Sequence, residues 1–252
     1  MGWAKRTRER VVIGLPRGGS VHGAHFDSML GLLQDQWRNP ERGADEVRLT
    51  GVRAVAGLYI EDNRNIIARR FLNETDAAWL LMLDSDIQFD PSLVEQLLEA
   101  ARSQPEAKVL SGNVPLDVYS TVAFYAMPQP GVFAPLRVLP DAKVFEADAV
   151  GTAIMLIHRD VLQRIREQEG ECWFFRHKVE VEERGDYPYR TFLNLGEDIS
   201  FSLRARDAGF STWVVQGLTG VVHHNLAATR RQLAEAEEEL KRLRGQAQKG
   251  AA

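Results

Sequence analysis

Short apolar runs separated by amphipathic stretches organise the first half of the chain. "RVVIGL" predicts a buried strand from Val11 to Leu15, closed by a Pro/Gly turn, and residues 24–37 place Phe26, Met29, Leu30, Leu33 and Trp37 at helical spacing. "VRAVAGLYI" (52–60) predicts a second strand, with "EDNRN" breaking the pattern before a helix resumes over "IIARRFLNE". "AWLLML" (78–83) is apolar at successive positions, as expected of a strand covered on both faces. A helix over "PSLVEQLLEAARS" follows, with Asp90 as N-cap and Pro91 at the first helical position. "KVLSGNVP" (108–115) predicts a fourth strand. Alternation of this kind predicts an α/β layer fold with a mainly parallel central sheet flanked by helices.

The second half is less regular. Prolines at 128, 130, 135 and 140 predict extended pieces and loops, and "DAVGTAIMLIHRDVLQRI" returns to a strand, Ala153 to Ile157, and a helix. Residues 170–194, rich in aromatic and charged side chains, predict a loop able to cover a site. "GEDISFSLRARDAGFSTWVV" predicts a helix from Asp198 to Ala208, a Gly209 C-cap and another strand. The tail places Leu226, Leu233 and Leu240 seven residues apart. Residues 226–252 are therefore expected to be helical, serving either as a dimer seam or as a helix on their own domain, with 1–225 as the main domain.

Composition narrows the class. The 252 residues are 44% hydrophobic and 26% charged, ordinary for a globular protein. No apolar run approaches the ~18–20 residues of a membrane span, and the first residues lack the apolar core of a secretory signal. Cys172 is the single cysteine, which excludes an internal disulfide and predicts a reducing, cytoplasmic setting. A net charge of −4 argues against a protein devoted to nucleic-acid phosphates, although basic clusters lie near both chain ends.

The chemistry begins where the third strand ends, in "LDSDI". In open α/β sheets ligands bind beyond the carboxyl ends of strands. Leu15-Pro16-Arg17, Glu61-Asp62 and Asp84-Ser85-Asp86 are all expected at such ends. Two carboxylates leaving a strand at alternate positions raise each other's pKa unless a cation compensates. Mg²⁺ and Mn²⁺ take carboxylate oxygen and bridge to substrate phosphates. The spacing by itself also fits a solvated turn before a capped helix. Glu197-Asp198 opens a helix, where acids answer the macrodipole; the same pair could supply a general base. His223 and His224 follow a short apolar stretch and offer imidazole to a metal.

Together, the strand ending in D-S-D, the "VGTAIML" strand, "GEDISFSLRARDAGF" and the later histidine resemble GT-A glycosyltransferases of the family 2-like type, over roughly residues 10–225. The resemblance implies a GT-A fold and a metal-dependent transfer of sugar from a nucleotide-diphosphate sugar, most commonly a UDP-sugar, to an acceptor hydroxyl. It implies Asp84, Asp86 and His223 around Mn²⁺ or Mg²⁺, with Ser85 and Asp84 near the ribose. Asp198, with Glu197 beside it, matches the acids that supply the base of inverting members. Pro16, Arg17 and Asp62 match the positions that hold base and ribose, and Gly151 and Thr152 those beside the donor sugar. Arg69 matches the arginine of an A-R-N-type pattern near the diphosphate, with Arg70 standing where asparagine is common. A nucleotidyltransferase and a non-catalytic sugar- or protein-binding module are the alternatives. The acceptor is open between a glycan, a small molecule, a protein and modified DNA.

Overall fold

A computed structural model describes residues 10–16, 21–38, 46–50, 59–114, 124–129, 132–136, 140–175, 177–181 and 191–222. The elements in chain order are β1 (Arg10–Gly14), α1 (Gly23–Arg38), β2 (Glu46–Thr50), α2 (Ile60–Glu74), β3 (Trp79–Leu83), β4 (Ile87–Gln88), α3 (Leu93–Ser103) and β5 (Val109–Asn113). They continue with β6 (Phe124–Gln129), β7 (Val132–Pro135), β8 (Val144–Ala147), β9 (Ala149–Val150), β10 (Ile154–His158) and α4 (Arg159–Glu169). The last are β11 (His177–Val181), β12 (Thr191–Leu195), α5 (Glu197–Asp207), β13 (Thr212–Thr219) and β14 (Val221–Val222).

The central sheet has the order β2-β1-β3-β10-β5-β13-β8. β2, β1, β3, β5 and β13 run one way, whereas β10 and β8 run the other. The expected parallel sheet is thus present, with one reversed strand inserted between β3 and β5. Residues along the strands alternate between two apolar layers, following the period of two. Leu80 and Met82 join Val12, Ile67, Phe71, Met155, Ile157 and Phe201 on one face. Trp79, Leu81 and Leu83 join Val11, Ile13, Leu32, Leu97, Ile154 and Leu156 on the other. The result is three layers, with α2, α4 and α5 over one face of the sheet and α1 and α3 over the other.

Several expectations are corrected. Helix α2 begins at Ile60, so "EDNRN" is its first turn and a half rather than a break. Glu61 and Asp62 suit that place because acids complement the positive end of the helix dipole. The expected strand over 52–60 falls largely outside the described residues, and its last residue starts α2. The second strand is the more polar "EVRLT", paired parallel to β1 at the sheet edge. Helix α3 starts at Leu93, not Pro91, because Asp90 Oδ1 accepts both the amide (2.8 Å) and the hydroxyl (2.5 Å) of Ser92, holding a turn before the helix. Helix α1 buries His25, Ser28, Met29 and Leu32, while Phe26, Leu30 and Leu33 of the apolar stripe face outward. Helix α5 and Gly209, at φ +91°, lie as expected. Within the loop expected over 170–194, β11 and β12 form an antiparallel pair; residues 182–190, the tail from 226 and the boundary at 225 lie outside the described residues.

Two devices fix the elements around the sheet, one at the start of β3 and one near the end of β5. Arg159, at the start of α4, donates to the carbonyls of Phe71, Leu72, Thr75 and Ala77, which satisfies groups orphaned at the end of α2. Gly112, in β5, allows β13 to approach closely. A Cβ there would press into Leu218 Cδ2 and lie 3.1 Å from the Leu218 carbonyl oxygen. Gly112→Ala is therefore expected to cost about 1–3 kcal/mol through overpacking, measured as a lower urea midpoint at unchanged slope.

Candidate functional site

The strand β3 buries five apolar side chains in succession and then turns sharply at Asp84-Ser85-Asp86. The Asp84 amide donates to the Ala153 carbonyl (3.0 Å), and the Ile87 amide closes the turn on the Asp84 carbonyl (3.3 Å). Asp84 is thus tied to the segment that precedes β10, next to Gly151 and Thr152.

Across from it stands Arg64 of α2, a guanidinium only 2% exposed. Its Nη2 donates to Asp84 Oδ1 at 2.9 Å and its Nη1 to Glu197 Oε1 at 2.5 Å. One cation so joins the end of β3 to the start of α5. The neighbouring Asn65 fastens the same two helices another way. Its Nδ2 donates to the Phe174 carbonyl (2.7 Å) and its Oδ1 accepts the Phe174 amide (2.8 Å). The Phe174 ring stacks on Phe201 of α5 with centroids 4.5 Å apart.

Asp198 follows Glu197 on the first turn of α5. Its Oδ1 accepts the Ile199 amide at 2.8 Å, and Gly196 leaves it room, since a Cβ there would lie 2.7 Å from that oxygen. Burial pushes the Asp198 carboxyl above the ordinary carboxylate range, and the Glu197 charge adds to the rise. Burial likewise pushes Asp84 up, with Asp86 and Glu197 adding to it and Arg64 only partly offsetting them. For Arg64, burial opposes the charge, but Asp84, Glu197 and Asp198 outweigh it and hold the guanidinium protonated. Asp84, Glu197 and Asp198 thus act on one guanidinium, two of them bonded to it, and among the described residues they leave a surplus of formal negative charge around it.

These groups line a cleft of about 200 Å³ together with Ser111, Gly112, Gly151 and Thr152. Ser111 Oγ donates to the Gly151 carbonyl at 2.9 Å and joins β5 to that wall. The volume is below the ~300–1,000 Å³ of a site that encloses a drug-sized ligand, so it suits one end of a larger molecule. Among the described residues no three His, Cys, Asp or Glu side chains group as a metal-binding set.

Of the residues singled out from the sequence, the structure brings Asp84, Gly151, Thr152, Glu197 and Asp198 to the cleft, with Asp86 close enough to act on Asp84. Ser85 is half-buried in the turn, its carbonyl accepting the His22 amide. Pro16 is buried after β1 and Asp62 lies on the first turn of α2, neither lining the cleft. Arg17 and His223 lie outside the described residues. Arg69 does not reach the cleft; it pairs at the surface with Glu171, Nε to Oε2 2.6 Å. Five residues of helix turn Arg69 about 140° from Arg64. Arg64 was missed, although a signal for it existed: Arg64-Asn65 is an arginine followed by asparagine, which Arg69-Arg70 is not.

No family model matches the chain, and no curated protein matches it in sequence. Solved structures do match. The crystal structure of A197 from STIV is 17% identical over 84% of each chain, with a TM-score of 0.51. That of GalNAc-T7 with UDP, GalNAc and Mn²⁺ is 10% identical, with a TM-score of 0.55, over 85% of this chain and 43% of that one. At these identities the likeness carries the fold alone. It is the GT-A fold expected from the sequence. Among the described residues no helix is long and apolar enough to cross a membrane.

Proposed function

We propose that this chain is a metal-dependent, family 2-like glycosyltransferase that moves a sugar from a nucleotide-diphosphate sugar, most simply a UDP-sugar, to an acceptor hydroxyl. The observation that carries this reading is the meeting of Asp84, Glu197 and Asp198 around Arg64 at the carboxyl edge of the sheet, beside a narrow cleft walled by Gly112, Gly151 and Thr152.

The residues present fit a hard divalent cation. Such ions are held by one or two protein carboxylates and complete their shell with water and substrate phosphate, and the site offers clustered carboxylates with surplus negative charge. Arg64 engages Asp84 Oδ1, so Asp86 is the acid of the pair assigned directly to the ion, with Asp84 beside it and His223 as a further donor. When bound, the ion would supply Lewis-acid stabilisation to the departing diphosphate.

The chain's own groups do the rest. The glycine-rich wall lets the donor sugar approach the backbone. Glu197, held by Arg64 at 2.5 Å, is committed to fixing the guanidinium. Among the described residues Asp198 makes no such ion pair, and it is assigned the role of base, taking the proton of the attacking hydroxyl at its carboxylate. GalNAc-T7 was crystallised with UDP and Mn²⁺, which supports the same class of donor here.

The test is release of nucleoside diphosphate from a panel of nucleotide sugars with Mn²⁺, with and without chelator. Metal-dependent release supports the reading. Release of pyrophosphate from a nucleoside triphosphate and a sugar 1-phosphate, supplied in a parallel assay, would instead make the protein a nucleotidyltransferase, and no turnover in either assay would leave only a binding module. Asp86→Ala is expected to lose Mn²⁺-dependent UDP binding at least a hundredfold while the thermal midpoint stays within a few degrees, because a turn acid outside the core contributes little to folding. Calorimetric titration checks the first and thermal unfolding the second; unchanged affinity would remove Asp86 from the metal site.

A further inference from the structure

Helix α1 and the residue just before it carry three groups that tie down the segment containing the two aspartates. The His22 amide donates to the Ser85 carbonyl at 3.1 Å. The His25 ring places Nδ1 2.9 Å from the Ile87 carbonyl oxygen. The Ser28 hydroxyl accepts the Phe89 amide at 3.0 Å. His22 immediately precedes α1, with 25 and 28 each three residues further along, and their partners fall in the turn (Ser85), in β4 (Ile87) and just beyond it (Phe89). Asp86 lies between the first two ties, one on the residue before it and one on the residue after.

His25 is the member that sequence reasoning passes over. It is 1% exposed, and its ring meets Phe89 edge-on with centroids 5.7 Å apart. A carbonyl can only accept, so Nδ1 carries the proton and Nε2 keeps a lone pair. Nε2 is buried without a hydrogen-bond partner among the described residues. Burial lowers the His25 pKa, the Ile87 carbonyl and the Asp86 charge opposing this, and the ring is accordingly neutral. An apolar residue would fill the same place without stranding Nε2, so packing does not account for an imidazole; the Nδ1 bond does.

We infer that His25 is a positioning residue for Asp86, its Nδ1–H bond to the Ile87 carbonyl fixing the turn that presents the aspartate. Leucine at 25 keeps the apolar packing but removes the Nδ1–H bond to the Ile87 carbonyl. Asparagine at 25 puts an amide N–H the same number of bonds from Cβ and restores the tie. The consequence for the turn stands on geometry alone; the consequence for the cation rests on the donor-site reading above.

Two measurements separate them. In amide hydrogen exchange without metal, His25→Leu is expected to lower protection of the His22, Ile87 and Phe89 amides at least about tenfold, with Leu97–Ala101 of α3 unchanged, and His25→Asn to restore it. In titrations with Mn²⁺ and UDP as probes, the leucine variant should bind about tenfold more weakly and the asparagine variant close to wild type. If the leucine variant does not fold, His25→Gln, whose amide sits one bond further out, replaces it. Wild-type protection in His25→Leu, or no recovery in His25→Asn, would overturn the inference. Failure of the wild-type protein to bind Mn²⁺ and UDP would remove the donor-site reading, while the exchange experiment still decides the role of His25.

Discussion

Replacing Arg64 with methionine is expected to cost about 3–5 kcal/mol of folding stability at neutral pH. Methionine preserves most of the buried stem, so the loss does not come from a large cavity. It comes from leaving Asp84 and Glu197, 2.9 Å and 2.5 Å from the guanidinium, without their shared cation. Removing one partner of a buried ion pair is far more damaging than replacing both with apolar groups, because the survivor still bears its desolvation cost. The deficit should shrink on acidification. Asp84 is already pushed above the ordinary carboxylate range by burial, against the pull of Arg64. A group raised in the folded state binds its proton more tightly there than in the unfolded chain. Stability is therefore lost as pH rises through the folded pKa and recovered as it falls. Without Arg64 that rise is larger, so urea unfolding near pH 5 should show a smaller gap between variant and wild type than near pH 7. Adding Asp84→Asn to Arg64→Met should recover part of the loss, since the two residues share one interaction and their effects are not additive. A single variant within about 1 kcal/mol of wild type at pH 7 would contradict the picture of an uncompensated pair.

The prominence of Arg64 shows which parts of the molecule could be read beforehand. β1 and β3 announce themselves because burial on both faces demands uninterrupted apolar residues, and the D-S-D turn is visible as the place where that demand ends. The start of α5 is visible because acids cluster there. β2 was not, since an edge strand need not be apolar and "EVRLT" alternates charge with aliphatics. The reversal of β10 leaves no mark either. A strand buried between two neighbours needs the same "IMLIH" whichever way it runs.

Arg64 itself was hidden by its chemistry. A charged residue inside "EDNRN" looks like solvent-facing helix breakage. Its phase says otherwise, for Arg64, Ile67, Ala68 and Phe71 lie at i, i+3, i+4 and i+7 and are all buried. Arg69 falls off that stripe and is left at the surface. On α1 the periodicity found Met29 of the buried side but placed the stripe partly off it. Phe26, Leu30 and Leu33 satisfy the helical spacing, yet the buried side includes His25 and Ser28, chosen for their hydrogen bonds to the turn rather than for hydropathy. Polar residues recruited inward by a site carry little hydrophobic signal.

Asp198→Asn is expected to separate activity from stability. Turnover should fall by about 10²–10⁴, the range lost when a general base is removed, while nucleotide-sugar affinity changes little. The fold should not suffer. Asparagine keeps an oxygen to accept the Ile199 amide now bonded at 2.8 Å, and the Ser202 hydroxyl bonds the residue 198 carbonyl, which the substitution leaves in place. It also removes a charge that the site opposes, since burial and Glu197 raise the Asp198 pKa. The sign is again that of a raised carboxyl, whose unfavourable effect is present at neutral pH and absent once both states are protonated. The variant's thermal midpoint should then equal or exceed that of wild type at pH 7, with the difference closing as pH falls. The wild-type rate should decline on the acid side at a pH above that of an ordinary aspartate, for the base is lost once protonated. Glu197→Gln supplies the contrast. It weakens the hold on Arg64 and removes a charge that raises the Asp198 pKa, so it should lose stability and donor affinity while its acid limb moves to lower pH. A dead but equally stable or stabilised Asp198→Asn, beside a destabilised Glu197→Gln that still turns over, assigns the base to Asp198. Unchanged turnover in Asp198→Asn would take that role away from it.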